Sequence, residues 1–205
     1  MKIRHLGRVA YEPTWRAMQA FTAARGAAAA DEIWLLEHPP VFTLGLAGRR
    51  EHVLSPGGIT VVTTDRGGQV TYHGPGQAIA YVLFDLRRAG LGVKALVNRL
   101  ESAAIAVLSD SGIQGERFAG RPGVYVAGAK IAAVGLRISR GCSYHGVALN
   151  VDLALEPFGR IDPCGYAGLE STSLAALGSR DSISAVQHRL ARALEQELSA
   201  LPIPA

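Results

Sequence analysis

The chain has 205 residues and a formal net charge of +4. With 48% hydrophobic and 19% charged residues, its composition is typical of a globular protein with a full core and excludes a disordered chain. No apolar run approaches the ~20 residues of a membrane span, and the first residues lack the continuous apolar stretch of a signal peptide. Two cysteines without an export signal indicate a reduced, cytoplasmic protein, and they are too few for a four-cysteine zinc site.

The basic residues are scattered rather than gathered into a tract. They occur as the pairs Arg49 and Arg50, Arg87 and Arg88, and Arg137 with Arg140. Such pairs are typical of an ordinary solvated surface and equally of a patch that docks an acidic protein. We expect neither a nucleic acid nor a membrane as partner.

Helical periodicity predicts three helices, at Pro13–Arg25, Val93–Ser109 and Ser182–Leu198. The first has a proline in its first turn, where proline is tolerated. The middle one has the clearest amphipathic stripe, because its apolar residues recur at i, i+3, i+4 and i+7. Gly112 follows it, in a position suited to ending a helix.

Apolar runs bounded by glycine and proline predict the strands. In chain order they are Glu32–Glu37, Val41–Leu46, Ile59–Thr63, Ala78–Asp85, Gly123–Ala127, Ile131–Ile138 and Ser143–Val151. These strands cluster instead of alternating with helices, which favours an α+β fold with a mixed sheet flanked by helices. We expect a single domain over residues 1–205. The chain lacks the Gly-x-Gly-x-x-Gly turn of a doubly wound nucleotide fold.

The densest chemical signal is the segment Asp65–Gln77, DRGGQVTYHGPGQ. Gly67 and Gly68 allow the backbone to bend sharply or to approach another group closely. The segment is compatible with two tight hairpin turns that carry a structural arginine and histidine. It is equally compatible with a loop whose side chains line a cavity.

Lys130 lies alone in the apolar stretch GVYVAGAKIAAVGLRI, with no acidic residue nearby in sequence. Because a charged group is costly to bury, this lysine either extends its amine to solvent or has a chemical role. His145 lies in the stretch SYHGVALNV, whose alternation predicts a strand with His145 on the same face as Val147 and Leu149. A histidine on such a face is more often a core residue than a catalyst.

Cys164 lies between a proline and a glycine in the run FGRIDPCG. This setting predicts a loop with a reachable sulfur, which suits a nucleophile. Cys142, by contrast, enters a predicted strand and is typical of an inert buried cysteine.

These motifs form an ordered series along nearly the whole chain. They are EHPPVFTLG from Glu37, RGGQVTYHGPGQ from Arg66, GVYV and KIAAVGLRI within 123–138, HGVALN from His145 and IDPCG from Ile161. In this order they resemble the lipoyl(octanoyl) transferase family, the octanoyltransferases of protein lipoylation.

The resemblance implies a domain of the biotin/lipoate protein ligase type. It implies an acyltransferase that takes octanoyl from acyl carrier protein and holds it as a cysteine thioester. The acceptor would be a lysine ε-amine on a lipoyl domain, such as those of the 2-oxoacid dehydrogenases or of the glycine cleavage H protein. The resemblance implies neither a metal nor an organic cofactor.

The resemblance also implies the site residues. Cys164 and Lys130 would be the catalytic pair, in which the lysine favours the thiolate and accepts a proton from the attacking amine. The substrate-binding residues would be Arg66, Gly67, Gly68, Gln69, Val70, Thr71, Tyr72, His73, Ala133, Val134, Gly135, His145, Gly146, Val147 and Ala148. They would wall an acyl tunnel, in which glycines let an alkyl chain lie close to backbone.

Three other functions fit parts of the pattern. An ATP-dependent lipoate protein ligase shares the fold and the Arg-Gly-Gly loop. Its lysine would contact an acyl-adenylate, and it needs no cysteine nucleophile. A non-catalytic acyl-binding module explains the glycines and the apolar walls, but it leaves Lys130 and Cys164 without a role. A cysteine hydrolase with His73 or His145 as base lacks an evident third group to orient the histidine.

Overall fold

The computed structural model describes residues 1–162 and 168–199, in which there are ten strands and four helices. The strands are β1 Lys2–Arg8, β2 Glu32–Glu37, β3 Val41–Leu44, β4 Thr60–Thr63, β5 Val70–His73, β6 Gln77–Leu83, β7 Glu116–Phe118, β8 Arg121–Val126, β9 Ala129–Ser139 and β10 Cys142–Asn150. The helices are α1 Tyr11–Ala24, α2 Leu86–Ala89, α3 Val93–Asp110 and α4 Ile183–Ser199. Short 3₁₀ turns include Arg50–His52 and Glu156–Arg160.

Two mixed sheets carry the strands. The larger sheet has the order β1-β2-β6-β10-β9-β8-β7, in which β1 and β2 are parallel and the other neighbours antiparallel. The smaller sheet has the order β4-β3-β5, with β3 parallel to β4 and antiparallel to β5. The α+β prediction with a mixed sheet is therefore confirmed.

The central strands β6 and β10 are buried along their whole length. One face of the large sheet packs against α3 and α4, where Leu100 and Leu190 are completely buried. The other face of β2 and β6 packs against α1 through Met18. Burial on both faces explains why β2 and β6 are nearly continuous apolar runs in the sequence rather than alternating ones.

The predicted elements are present with their ends shifted by a few residues, and three strands, β1, β5 and β7, and the short helix α2 are additional. Strand β1 was not predicted because it is an edge strand with mostly exposed polar residues. Strand β5 lies inside the segment predicted as turns, and it pairs with β3 from Val41–His73 to Leu44–Val70. Strand β3 ends at Leu44, before the predicted Leu46, because the next amides bond to the loop that follows β4. None of the helices in the described ranges is long and apolar enough to cross a bilayer.

Candidate active site

A cavity of about 270 Å³ lies where the loop between β4 and β5 meets strands β6, β9 and β10. Lys130 lines it, and so do all the predicted substrate-binding residues except Tyr72. These are Arg66, Gly67, Gly68, Gln69, Val70, Thr71, His73, Ala133, Val134, Gly135, His145, Gly146, Val147 and Ala148. The structure therefore brings together stretches that lie up to 82 positions apart in the chain, from Arg66 to Ala148.

Tyr72 does not line the cavity. Its ring centroid lies 5.5 Å from that of Phe42 and 5.4 Å from that of Phe158, in the core of the small sheet. Side chains alternate along a strand, so Tyr72 of β5 faces away from its neighbour His73, which does line the cavity.

Several lining residues were not predicted from the sequence. They include Tyr11, Gln77, Ile79, Tyr81, Val93, Val97, Ala132, Leu136, Asn150 and Ser171. Gln77 could have been predicted, because it is the last residue of the motif that begins at Arg66. Val93 and Val97 could not, because their spacing on α3 is that of an ordinary core stripe.

Asp65 joins helix α1 to strand β10 beside this cavity. Its carboxylate accepts hydrogen bonds from Trp15 Nε1 at 2.8 Å and Gln19 Nε2 at 3.0 Å, both on α1. From β10 it accepts bonds from the Tyr144 hydroxyl and from His145 Nε2, the latter at 3.1 Å. Burial acts to raise the pKa of Asp65, but the bonds from His145, Tyr144 and Gln19 outweigh it and hold the pKa below its usual range.

His145 adopts a left-handed backbone with φ of 60°. This reverses the alternation of β10, so the predicted shared face with Val147 and Leu149 is wrong. Those two residues pack towards α3 and α4, whereas His145 contacts Tyr81, Tyr144 and Asp65. Because the Asp65 carboxylate only accepts, Nε2 of His145 carries the proton and Nδ1 is the basic nitrogen. Asp65 is thus an orienting group for His145 that the sequence analysis did not identify.

Two further histidines, His38 and His73, are buried beside this pair. His38 Nδ1 donates to the Val9 carbonyl at 2.6 Å, which leaves Nε2 to accept from the Tyr81 hydroxyl at 2.7 Å. Burial lowers the pKa of His38 to about 4 and that of His73 to about 3. Burial also lowers the pKa of His145, against the opposing influence of Asp65. All three rings are neutral at pH 7.

Arg66 organises the glycine-rich loop. Its guanidinium donates to the carbonyls of Thr43 at 2.6 Å, Gln69 at 2.8 Å and Gly67 at 3.0 Å. The amide of Gly67 in turn bonds to the carbonyl of Leu136 on β9 at 2.8 Å. The loop is therefore tied both to the small sheet and to the cavity wall, and its glycines serve this close backbone contact.

Lys130 is only 9% exposed, so its amine does not extend to solvent. Nζ donates to the carbonyl of Pro122 at 3.0 Å and lies 5.5 Å from the ring centroid of Tyr125. Gly123 makes room for it, because a Cβ at this position would lie 2.8 Å from Cε of Lys130. Burying an amine in the wall of a largely apolar cavity is costly, and the bond to Pro122 offsets part of that cost.

Cys164 lies outside the described residues, but the segments on both sides of it are anchored. Before it, Ile161 bridges to Val53, and the amide of Asp162 bonds to the carbonyl of His52 at 2.9 Å. After it, the carbonyl of Glu170 accepts from the amide of Lys130 at 2.8 Å. The chain that carries Cys164 is thus joined directly to the strand that carries Lys130.

Known proteins are similar to the chain over nearly its whole length. The family described as lipoyl protein ligase A/B catalytic domain matches residues 10–195. An octanoyltransferase of Thiobacillus denitrificans is 59% identical over 96% of this chain and 90% of its own length. One of Chromobacterium violaceum is 55% identical over 96% and 95%. The chain belongs to the octanoyltransferases of the lipoyl protein ligase A/B catalytic domain family.

Solved structures show that the fold is shared more widely. A lipoate-protein ligase A bound with ATP has a TM-score of 0.78 at 14% identity, over 97% of this chain and 86% of its own. A biotin protein ligase from Aquifex aeolicus in complex with biotin and ATP has a TM-score of 0.61 at 12% identity, over 96% and 70%. The expected fold of the biotin/lipoate protein ligase type is confirmed, as is the expected family.

Replacing Asp65 with asparagine should destabilise this octanoyltransferase at pH 7 by about 1–3 kcal/mol, the scale of hydrogen bonds to a charged group. The folded pKa of Asp65 lies below its unfolded value of ~3.9. Its contribution is therefore complete above about pH 5 and disappears as the pH falls further. Denaturant unfolding from pH 7 to pH 3 should show the stabilities of wild type and Asp65→Asn converging.

Asp110→Asn provides the control, because it removes an exposed carboxylate from the end of α3. It should stay within about 0.5 kcal/mol of wild type at every pH. A constant gap between Asp65→Asn and wild type over this range would contradict the role given to the charged carboxylate.

Gly123→Ala should disable the enzyme by displacing Lys130. Gly123 has φ of 125°, and its added Cβ would also lie 2.5 Å from the carbonyl oxygen of Ala132. We expect octanoyl transfer to fall by about 100-fold, as small misplacements at active sites can do. The control is Gly128→Ala in the turn that follows, which has φ of 84° and no atom within 4 Å of its added Cβ.

Both variants place alanine in the left-handed region, at a cost of about 1–2 kcal/mol. Measuring the thermal unfolding of both variants, together with kcat, will show how much of the lost activity is due to lost stability. Equal losses of activity in the two variants would mean that the space around Lys130 is not the cause.

Proposed function

We propose that the chain transfers octanoyl from acyl carrier protein to a lipoyl-domain lysine through a thioester on Cys164, assisted by Lys130. Transfer of octanoyl groups in protein lipoylation is the activity of the family to which the chain belongs. The observation that carries the covalent mechanism is the placement of Lys130. Its buried side chain lines the cavity, and its backbone N–H bonds to the carbonyl of Glu170 in the segment that follows Cys164.

In the first half of the reaction, the Cys164 thiolate attacks the thioester carbonyl of the donor. A new sulfur–carbon bond forms on Cys164, and the bond to the pantetheine sulfur breaks. A free cysteine is only a few per cent thiolate at neutral pH, so the reaction needs a cation beside the sulfur. The ammonium of Lys130 supplies that charge. It then protonates the departing pantetheine thiolate and becomes a neutral amine.

In the second half, the acceptor lysine attacks the thioester on Cys164 as a neutral amine. Lys130, neutral after the first step, takes the proton that this nitrogen loses as the amide forms. Cys164 leaves as a thiolate, again beside an ammonium. The pair thus returns to its starting state, with no base required beyond Lys130.

The cavity explains how the acyl chain is held between the two steps. Val134, Val147 and Ala148 give it apolar walls, and Gly135 and Gly146 expose backbone. The neutral histidines at its polar end add no charge that would need hydration. Exclusion of water favours transfer to the lysine over hydrolysis of the thioester.

A cytoplasmic acyl carrier protein and the lipoyl domains are acidic partners, which gives the net charge of +4 a purpose. The turn Arg50–His52 bonds to Asp162 and so lies beside the segment that leads to Cys164. Arg140 is different, because it donates to the Thr22 carbonyl at 2.9 Å at the end of α1. That contact lies at the Cys142 end of β10. The other end of this strand, Asn150, lines the cavity and is ~27 Å away along the strand.

Cys164→Ser should abolish transfer by at least ~1,000-fold, because a serine hydroxyl is a far weaker nucleophile towards a thioester. After incubation with octanoyl acyl carrier protein, intact-mass analysis should find one octanoyl group on the wild type and none on the variant. Cys142→Ser is the matched control, since Cys142 is buried in β10 and only 3% exposed. It should become acylated as wild type does.

Two outcomes of this experiment would contradict the covalent mechanism. One is near-normal transfer by Cys164→Ser, and the other is an octanoyl group that resides on Cys142. Transfer from free octanoate and ATP, without acyl carrier protein, would instead favour a ligase reaction.

The KM for acyl carrier protein should rise about tenfold between 50 and 500 mM salt, while kcat changes little, because attraction between unlike surfaces is screened. Arg50→Glu should raise this KM by about 3- to 10-fold at low salt. Arg87→Glu is the matched control, since its exposed side chain lies over Gly141 at the distant end of β10. A small octanoyl thioester should show neither effect; a KM independent of salt would exclude electrostatic docking.

A further inference from the structure

One peptide group lies directly between a buried carboxylate and the amine of Lys130. The N–H of Gly123 donates to Oε1 of Glu101 at 2.8 Å, and the carbonyl of Pro122 accepts from Nζ of Lys130 at 3.0 Å. These two groups belong to the same peptide, the one that joins Pro122 to Gly123. The carboxylate and the amine therefore hold opposite ends of one planar unit.

Glu101 is an acidic residue in a part of the fold that is otherwise apolar. It lies on α3 among the apolar residues of the core-facing stripe and is only 5% exposed. Burying a carboxylate is costly unless its oxygens are bonded. Both are: Oε1 accepts from Gly123, and Oε2 accepts from Nε of Arg117 at 3.1 Å. No acidic residue lies near Lys130 in the sequence, but α3 places Glu101 on the far side of the peptide group to which Lys130 bonds.

The backbone at Gly123 completes the arrangement. Its φ of 125° turns the Pro122–Gly123 peptide so that the N–H points to α3 and the carbonyl to Lys130. With the N–H bonded to Glu101, the peptide cannot rotate without losing a buried hydrogen bond. Hydrogen bonds in series also polarise one another, so the bond to Glu101 strengthens the one from Lys130.

We infer that Glu101 is a positioning residue, which fixes Lys130 Nζ through the Pro122–Gly123 peptide. This inference rests on the proposed function, because it assigns Glu101 to the work of Lys130. Glu101 touches neither the substrate nor the reacting atoms. It sets where the amine lies relative to the cavity, and Lys130 acts on the sulfur and the acceptor nitrogen.

Glu101→Met tests the inference, because it keeps the length of the side chain and removes both acceptor oxygens. We expect kcat to fall by about 10- to 100-fold with little change in KM for the octanoyl donor. Glu101→Gln retains one oxygen for the Gly123 amide and should recover most of the activity. Arg117→Met removes the ion pair and leaves the Gly123 bond, so its kcat should stay within about threefold of wild type.

Glu32→Met is the matched control for loss of a buried glutamate. Glu32 is 7% exposed, pairs with Arg4 and accepts from Trp34 Nε1 at 2.6 Å, on β2 away from the cavity. Its substitution should lower stability without changing kcat. A fall in kcat as large as that of Glu101→Met would indicate general destabilisation and overturn the inference.

A double-mutant cycle provides the decisive readout. The rate at which iodoacetamide alkylates Cys164 is measured for wild type, Glu101→Met, Lys130→Met and the double variant. Each single change should lower the rate at pH 7, and the double variant should be no slower than Lys130→Met. Independent, multiplicative losses would show that Glu101 does not act through Lys130.

The same four proteins separate the two possible failures. If Lys130→Met alkylates at the wild-type rate, the role of Lys130 in the proposed function is wrong. If Lys130→Met is slow but Glu101→Met matches wild type, the proposed function stands and the positioning role of Glu101 is wrong.

Discussion

The carboxylate of Asp65 is the point on which the arrangement of the cavity depends. It accepts hydrogen bonds from two residues of α1, Trp15 and Gln19, and from Tyr144 and His145 of β10. These donors lie far apart in the chain, so one charge joins the first helix, the loop after β4 and the central strand. Each bond to a charged acceptor is stronger than a neutral one, which makes the junction rigid.

Arg66, the next residue, extends this junction into the cavity wall. It is fixed between the small sheet and the loop by its bonds to Thr43 and Gln69. The adjacent acidic and basic side chains thus point into different networks, one towards α1 and β10 and the other towards β3. The loop packs directly against Gly135 of β9, where an added Cβ would lie 3.3 Å from Cδ of Arg66 and 3.3 Å from the carbonyl oxygen of Gly67.

The two ends of the cavity meet different chemical needs. At one end, His73 and His145 are neutral because burial lowers their pKa values, so these two rings add no charge beside the guanidinium of Arg66. At the other, Lys130 places an amine against a backbone carbonyl and an aromatic ring. A thioester survives in a dry cavity, and it reacts where a positive charge favours a leaving thiolate.

Much of the fold was predictable from local patterns. The helices α1, α3 and α4 follow from apolar periodicity, and β2 follows from its continuous apolar run with the same bounds, Glu32–Glu37. Strand β1 was missed because an exposed edge strand needs no apolar pattern, and β5 because its glycine-rich neighbours indicate turns. A sequence gives no signal for the left-handed backbone at His145, since that conformation depends on the Asp65 bond made across the fold.

In the candidate site, too, residues within local motifs were predictable and residues that act through distant contacts were not. Motif resemblance identified Lys130 and fourteen other residues between Arg66 and Ala148 that line the cavity, and it included Tyr72, which does not. It did not identify Asp65 or Glu101, because each bonds to partners that lie many residues away in the chain. Glu101 lies 29 positions before Lys130 and reaches it only through a peptide group of β8. Such a contact is a property of packing, and periodicity on α3 marks the position only as core.

The shared fold does not by itself select between a ligase and a transferase. ATP-bound and biotin-bound relatives have the same architecture at 12–14% identity, so the sheet and helices are compatible with several acyl chemistries. The distinction must lie in groups that a covalent route needs and an adenylate route does not. In the proposed covalent route that group is Cys164, because the lysine of a ligase would contact an acyl-adenylate and therefore does not distinguish the two routes. The buried amine of Lys130, held against the Pro122 carbonyl, has its place in that proposed route because a cation beside a cysteine favours its thiolate.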